Sequence, residues 1–194
     1  AINRTRNRTK SYIDGSVVTS LDDVTLDAEV TSNFYALSIG VVGSLARGNG
    51  QSGALAFAGS ASANHIDNQI ASYIANSADV DAGETLTLNA ADDMFVRADS
   101  GGFAFAVAAA TGATPSAADA LAAGFAITEN SIGNDGGHEI WASIDASDVS
   151  AVSGLDITAT TPAKIESLAM GGALAAGVSK SGAGLAGAGA GAGA

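Results

Sequence analysis

The stretch 181-SGAGLAGAGAGAGA-194 has a silk-like composition, which on its own favours a flexible linker. That interpretation changes if the stretch has counterparts inside the folded part of the chain. GALAFAGSASA at 53–63 is one counterpart, and DALAAGFAI at 119–127 is another. We therefore predict that residues 181–194 are ordered β-strand and form the last part of a repeat.

The repeat begins with the motif N-x-[TI]-x-N, which occurs at Asn3–Asn7, Asn64–Asn68 and Asn130–Asn134. Each motif is followed by a related segment (SYIDGS, SYIANS or ASIDAS), then by alternating apolar and polar residues, then by Gly and Ala. Internal repetition of this kind is typical of proteins that stack one structural unit. The chain is predicted to be one continuous domain of three repeats, residues 1–63, 64–129 and 130–194.

The C-terminal stretch has a definite expected register. From Ile144 onward the third repeat aligns with the first without a gap, so that Ala194 matches Ala63. The residue after Ala63 is Asn64, which matches Asn3. The two ends of the chain are therefore expected to lie in phase with each other.

Composition limits the classes of protein to which the chain can belong. Hydrophobic residues make up 47% but aromatic residues only 5%, so any core must be thin and closely packed. The 20 acidic and 8 basic residues give a net charge of −12, which disfavours nucleic acid as a partner. The absence of cysteine excludes disulfides and thiolate metal sites. No apolar run reaches the roughly 18 residues that a membrane span needs.

A period of two residues predicts β-strands within each repeat. Val24, Leu26, Ala28 and Val30 lie on one face of such a strand, with polar residues between them. The Gly/Ala half also alternates, with small residues expected on both faces, so its sheets should pack closer than the usual ~10 Å. The predicted fold is all-β, a tandem-repeat β-solenoid or stacked long-strand β-sheet structure with silk-like Gly/Ala strands.

Two local features leave alternatives open. The paired asparagines of each motif share one strand face, and they form either an inward ladder between stacked repeats or unrelated turn positions. TPSAADALAAG at Thr114–Gly124 has a helix-like start and end, and it fits either a short inserted helix or a strand. The Gly/Ala stretches of the other repeats favour the strand.

Taken together, the asparagine motif, the SYIDGS segment, the alternating strand and the Gly/Ala block resemble the repeat arrays of giant bacterial surface exoproteins. These are the haemagglutinin-like or adhesin-like repetitive proteins. The resemblance covers the whole chain, implies a long β-solenoid rod and carries no catalytic residue across. The departures from it are the helix-like Thr114–Gly124 and the insertion GNDGGHE at Gly133–Glu139.

Histidine and acidic residues are the candidates for chemistry. His65 and His138 do not occupy equivalent repeat positions, and we interpret them as surface residues on a strand and in a loop. The acidic pairs 22–23 and 92–93 are interpreted as solvated turns rather than as a Ca²⁺ site. No catalytic residue, metal ligand or cofactor is predicted, and the chain is not expected to be an enzyme. The alternative is a carbohydrate-binding or carbohydrate-cleaving β-solenoid.

Basic residues are concentrated at the N-terminus. Arg4, Arg6, Arg8 and Lys10 alternate with neutral residues and account for four of the eight Lys and Arg residues. This basic face is either a solvated strand edge or a dock for an acidic surface, which is another copy of the protein, an anionic polysaccharide or a cell surface.

The expected function is that of an extracellular structural protein, a subunit or segment of a secreted fibre or adhesin on the bacterial cell surface. Because the sequence starts with Ala1 rather than Met, it is expected to be a processed form or a segment of a longer protein. Assembly is expected to be head to tail, with Asn3–Ile13 of one unit continuing the sheet begun by Gly182–Ala194 of another. The residues predicted to mediate self-association are Asn3, Arg4, Arg6, Asn7, Arg8, Lys10, Gly187, Gly189, Gly191 and Ala194.

Overall fold

Alternation of apolar and polar residues, broken by Gly, Asp and Asn, produces β-strands along almost the whole chain. The computed structural model describes residues 1–113, 116–133 and 137–194, and all of their regular structure is β-strand. The strands are β1 (Ile2–Thr5), β2 (Arg8–Asp14), β3 (Val17–Ser20), β4 (Val24–Gly48), β5 (Ser52–Ile66), β6 (Gln69–Ala75), β7 (Asp79–Ala82), β8 (Thr85–Ala110), β9 (Ala118–Ile132), β10 (Glu139–Ile144), β11 (Asp148–Ala151), β12 (Gly154–Thr160), β13 (Ala163–Ser179) and β14 (Gly184–Gly193).

Every strand pairing is parallel and joins equivalent parts of different repeats. Four sheets result. The return sheet has the order β1-β5-β9-β14, the short sheet β2-β6-β10 and the corner sheet β3-β7-β11. In the long sheet, β8 lies between β4 on one side and β12 with β13 on the other. The chain therefore winds through the four sheets once per repeat, and the predicted all-β stack of repeats is confirmed.

The long strand is continuous in the first two repeats and interrupted in the third. β12 ends at Thr160 and β13 starts at Ala163, on either side of Pro162. Proline has no N–H to donate to a sheet, so it is tolerated only where a strand lies at an edge. β12 and β13 form such an edge, because they pair with β8 on one side and have no described strand on the other.

Two regions of the cross-section have different cores. Where the first half of the long sheet faces the short and corner sheets, the buried residues are large and aliphatic, including Ile74, Val80, Leu86 and Leu88, all 0% exposed. We call this region the aliphatic end. Where the second half of the long sheet faces the return sheet, the buried cluster consists of alanines, and we call this region the alanine blade.

The two sheets of the alanine blade touch through their backbones. A Cβ atom added to Gly102 would lie 2.0 Å from the carbonyl oxygen of Phe125, and one added to Gly124 would lie 2.1 Å from that of Gly172. Real Cβ atoms do not approach other heavy atoms this closely. Glycine is therefore required at these facing positions, and the predicted close approach of the Gly/Ala sheets is confirmed.

The prediction that small residues occupy both faces of the Gly/Ala strands is wrong for most of the blade. Only small side chains fit between the sheets, so the alternating large apolar residues point outward. Phe57 of β5, Phe105 of β8 and Leu174 of β13 are 54%, 44% and 59% exposed. β14 carries glycine at most of its outward positions.

The ambiguous segment 114–124 is strand where it is described. β9 begins at Ala118 and continues to Ile132, which confirms the strand alternative for Ala118–Gly124. Thr114 and Pro115, which suggested a helix start, lie outside the described residues.

The C-terminal stretch is ordered, but its predicted register is wrong by one residue. Residues 184–193 form β14, so the expectation of an ordered strand is confirmed there. Gly193 pairs with Ile127, which pairs with Ala61, whereas a gapless alignment from Ile144 would place Ala192 opposite Ala61. The cause is the connection between β13 and β14, which has four residues where the first repeat has three between β4 and β5.

Candidate assembly surfaces and the buried polar positions

The first asparagine of each motif forms a ladder along the stack. Asn3, Asn64 and Asn130 are paired in register, and Asn64 is 0% exposed. The Nδ2 atom of Asn3 donates to Oδ1 of Asn64 at 2.9 Å, and Nδ2 of Asn64 donates to Oδ1 of Asn130 at 2.8 Å. The inward ladder is therefore confirmed for these three residues.

The same amides also tie the return sheet to the long sheet. Each Nδ2 donates to a backbone carbonyl across the core, at 2.7 Å from Asn3, 2.9 Å from Asn64 and 2.7 Å from Asn130. The acceptors are equivalent positions of the long sheet, Tyr35, Arg97 and Glu166. The ladder thus connects the return sheet to the long sheet on the side of the blade that faces the aliphatic end.

The second asparagine of the motif does not continue a ladder. Asn7 is exposed, and Asn134 lies outside the described residues. Asn68 is fully buried, and its Nδ2 donates to Oδ2 of Asp92 at 2.9 Å. In the third repeat, the position equivalent to Asn68 is occupied by His138. Glu139, the next residue, pairs with Gln69.

Asp92 and His138 correct two interpretations made from the sequence. Asp92 does not lie in a solvated turn but points inward from β8 and is 0% exposed. The His138 side chain is only 13% exposed, and its Nδ1 lies 3.9 Å from Oδ2 of Asp92. Burial raises the pKa of Asp92, and the hydrogen bond from Asn68 and the nearby His138 offset part of the rise. These three residues form a buried polar cluster at the junction of the aliphatic end and the blade.

The remaining candidates for chemistry lie apart from this cluster. His65 lies on β5, and its Nε2 is 3.9 Å from Oε1 of Glu129. Asp22 and Asp23 lie in the exposed turn before β4, as expected, where Asp23 accepts a hydrogen bond from the backbone N–H of Thr85 at 2.9 Å. Within the described ranges, no group of three or more His, Asp or Glu residues could hold a metal ion. Nor does this part of the chain contain a helix long and apolar enough to cross a membrane.

The signals for Asp92 and His138 were present in the sequence. Leu86, Leu88 and Ala90 occupy alternate inward positions, so Asp92 is the next inward residue of the same strand. Aligning the segment ASID with SYIA places the residue before Glu139 opposite Asn68. Asp92 was assigned to a turn because two adjacent acidic residues are typical of turns. The alternation of inward and outward positions along β8 indicates burial instead.

The four basic residues at the N-terminus are all exposed and line the first repeat's edge of the stack. The guanidinium of Arg6 lies 3.6 Å from Asp67, and Nε of Arg8 donates to Oε1 of Gln69 at 2.9 Å. The ammonium of Lys10 lies 5.6 Å from the ring centroid of Tyr73, which itself stacks on Tyr12. Each of these three cations thus contacts the second repeat on one side and is open on the other.

The opposite end of the stack exposes part of the core. Leu155 and Ile157 of β12 pair with Leu86 and Leu88 of β8, yet they are 50% and 43% exposed where their partners are 0% exposed. Ile165 is 52% exposed in the same way. No described segment covers these inward-facing side chains. Apolar surface that only a further repeat would bury is a feature of uncapped repeat stacks.

Large apolar residues also cover both outer faces of the blade. On the long sheet they are between 37% and 68% exposed, and they are Leu37, Ile39, Val41, Leu45, Phe105, Val107, Leu168, Met170, Leu174 and Val178. On the return sheet they are Leu55, Phe57, Leu121, Phe125, Ile127 and Leu185. Soluble monomers rarely expose contiguous apolar patches of this kind without a binding role.

A charged group marks one border of the apolar face on the long sheet. Nε of Arg97 donates to Oδ2 of Asp99 at 2.7 Å, and its Nη1 lies 3.5 Å from Glu166. The ammonium of Lys164 lies 2.7 Å from Oε1 of Glu166 and lowers the pKa of that carboxyl. These ion pairs are exposed, so they contribute little to stability and serve as a polar rim beside the apolar face.

Comparison with protein-family models, with curated proteins and with solved structures found no match to this chain. The structure defines a class of protein, namely a stack of three repeats whose parallel β-sheets have unpaired edge strands at both ends of the described stack. The function proposed below therefore rests on the geometry of those ends.

Proposed function

We propose that this chain is an extracellular structural protein, a subunit or segment of a bacterial surface fibre or adhesin that assembles head to tail through β-strand stacking. Its role is structural, and each added unit lengthens the same four sheets. The open core at the C-terminal end carries the proposal, because Leu155, Ile157 and Ile165 are half exposed where a further repeat would bury them.

Energetics favour such extension. Burial of apolar surface contributes about 25 cal/mol per Å², so covering the open core and joining the unpaired edges of four sheets both stabilise a longer stack. Unpaired strand edges are templates for strand addition, and β4 and β13 present two of the longest at opposite ends. The extracellular bacterial setting rests on the resemblance of the repeat motifs, and the acidic, cysteine-free composition is compatible with it.

The test is to close the C-terminal end. The double variant Leu155→Lys with Ile157→Lys places two ammonium groups in the open core, where docking would bury them without partners. We expect sedimentation velocity and electron microscopy to show long assemblies for the unchanged chain and monomers or short oligomers for the variant. The control is Leu121→Lys with Ile127→Lys, because these residues are 47% and 61% exposed on the outer face of β9 in the second repeat, away from both docking edges.

Two outcomes would contradict the proposal. One is an unchanged chain that stays monomeric at all concentrations. The other is equal loss of assembly in the variant and in the control, which would indicate a general charge effect rather than closure of the core.

A further inference from the structure

We propose that neighbouring chains dock in phase, so that the third repeat of one chain contacts the first repeat of the next as consecutive repeats contact each other within a chain. This inference rests on the proposed function and specifies the register of the contact. In this register Ile144 lies beside Ile13 of the next chain, because both pair with Ile74. The partner is therefore a second copy of this chain, bound through one defined surface at each end.

The asparagine ladder has complementary ends. Asn3 uses both hydrogens of its amide, on Tyr35 and Asn64, and its Oδ1 accepts no hydrogen bond from the described residues. At the other end, Asn130 donates one hydrogen to Glu166 and accepts from Asn64, which leaves its second N–H without an acceptor among the described residues. Docking in phase brings this free donor to the free acceptor of the next chain.

The outward side chains of the short sheet are also complementary in this register. Arg8 and Glu139 both pair with Gln69, so docking in phase places a guanidinium beside a carboxylate. Lys10 and Trp141 both pair with Ala71, so the ammonium meets an indole ring, the aromatic group that binds cations best. Asp14 and Asp145 oppose the contact. Asp14 pairs with Ala75, and Asp145 follows Ile144, which pairs with Ile74, so the two carboxylates would lie side by side.

The glycines of β14 fit the same register on the return sheet. Gly187 lies beside Leu121, whose Cδ1 would be 3.2 Å from an added Cβ atom. In phase, Gly187 also meets Leu55 of the next chain, and Gly189 meets Phe57. Outward glycines thus leave room for large side chains from both neighbouring strands.

The same register orders the chain ends. Gly193 is equivalent to Ala61 and Ile2 pairs with Ala63, so β14 of one chain and β1 of the next lie end to end in one row. The acceptor for β14 is therefore the edge of β5 at Ser52–Ser60, rather than the segment Asn3–Ile13 expected from the sequence. The acceptor for β10 is β2, because these strands belong to the short sheet.

Cysteine cross-linking tests the register, because the chain has no cysteine of its own. Tyr12 and Ser143 both pair with Tyr73, so in-phase docking places them on adjacent strands, about 4.8 Å apart. That spacing lies within the roughly 4.4–6.8 Å that a disulfide spans between Cα atoms. Within one chain the two residues are two strands apart, about 9.6 Å, and cannot be bridged. We expect Tyr12→Cys with Ser143→Cys to form a ladder of covalent oligomers on mild oxidation.

The matched control is Asp14→Cys with Ser143→Cys, which is two residues out of register and about 8 Å apart in the docked pair. It should give little cross-linking. Assemblies that form but cross-link only in the control would overturn the register and leave the proposed function intact. Chains that neither assemble nor cross-link would overturn both.

Charge exchange gives a second, independent measurement. Arg8→Glu or Glu139→Arg places like charges together at the contact, and we expect either to shorten the assemblies. The double variant Arg8→Glu with Glu139→Arg restores opposite charges and should restore length. Failure of the double variant to recover, with both singles impaired, would contradict the pairing of Arg8 with Glu139.

Discussion

The aliphatic end and the alanine blade belong to the same repeats and the same long strands, yet they are stabilised in different ways. At the aliphatic end, Leu86 and Leu88 fill the space between three sheets. In the blade, facing glycines such as Gly102 and Gly124 let two backbones touch. The comparison shows that one strand, β8, can change from a core limited by side-chain volume at Leu88 to a core limited by backbone contact at Gly102.

The two regions should therefore respond to opposite kinds of substitution. Removing methylene groups from the aliphatic end leaves a cavity, whose cost adds to the lost burial. Adding a single methyl group to the facing glycines of the blade forces the sheets apart. Substitutions at Leu88 and at Gly102 therefore distinguish the two kinds of core.

The largest effect is expected at Leu88. Leu88→Ala should lower the free energy of unfolding by about 3 kcal/mol, because the side chain is 0% exposed and the surrounding sheets cannot collapse fully into the space. Urea unfolding followed by circular dichroism measures the change. Leu121→Ala, on the outer face of the blade and 47% exposed, is the control and should cost less than about 1 kcal/mol. Equal effects would remove the distinction between core and outer face.

An added methyl group in the blade should come next. Gly102→Ala should destabilise by about 2 kcal/mol, since its Cβ would lie 2.0 Å from the carbonyl oxygen of Phe125. Gly43→Ala is the matched control, because Gly43 lies on the same sheet and nothing is within 4 Å of its added Cβ. The same unfolding experiment should find that variant unchanged or slightly more stable. A harmless Gly102→Ala would mean that the sheets of the blade do not touch.

Asp92 lies where the two regions meet, and it should make stability depend on pH. Burial raises its pKa above the ordinary value of 3.8, so the folded protein holds the proton more tightly than the unfolded chain. The contribution of Asp92 to stability is then most favourable below about pH 4 and is lost as the pH rises through the raised pKa. Asp92→Asn removes the ionisation and keeps an oxygen that can accept from Asn68. It should be more stable than the unchanged chain near neutral pH and similar to it at acid pH.

The measurement is the midpoint of thermal unfolding across that pH range, with Asp119→Asn as the control. Asp119 is exposed on β9 and is not among the groups that shift the pKa of Asp92, so its replacement should not change the slope. A decrease in stability of Asp92→Asn at neutral pH would contradict the raised pKa, because it would mean that the fold favours the ionised carboxylate of Asp92.

How far the sequence predicts this molecule depends on side-chain size. The aliphatic strands and the repeats could be predicted because Leu and Ile mark one face of a strand. The asparagine ladder was one of two alternatives, because a motif of paired asparagines also fits turns. The offset at Gly193 could not be predicted, since the stretch after Leu185 contains only glycine and alanine, and no large residue there fixes the register against a shift by one. The outward apolar residues of the blade were missed because apolar residues usually point inward, and here the core has room only for alanine and glycine.

The smallest expected effect concerns a corner of the aliphatic end where the backbone, rather than side-chain volume, is limiting. Gly15 has φ 55°, Asn76 has φ 61° and Ala146 has φ 45°, so all three repeats turn this corner in the left-handed region. Alanine is disfavoured there because its Cβ approaches the following carbonyl oxygen. Ala146→Gly should therefore raise the free energy of unfolding by about 0.5–1 kcal/mol. Ala151→Gly, in the strand β11, should lower it by about 0.5–1 kcal/mol. If both variants are destabilised alike, the corner of the third repeat is not held in this conformation, and backbone contact limits packing only in the blade.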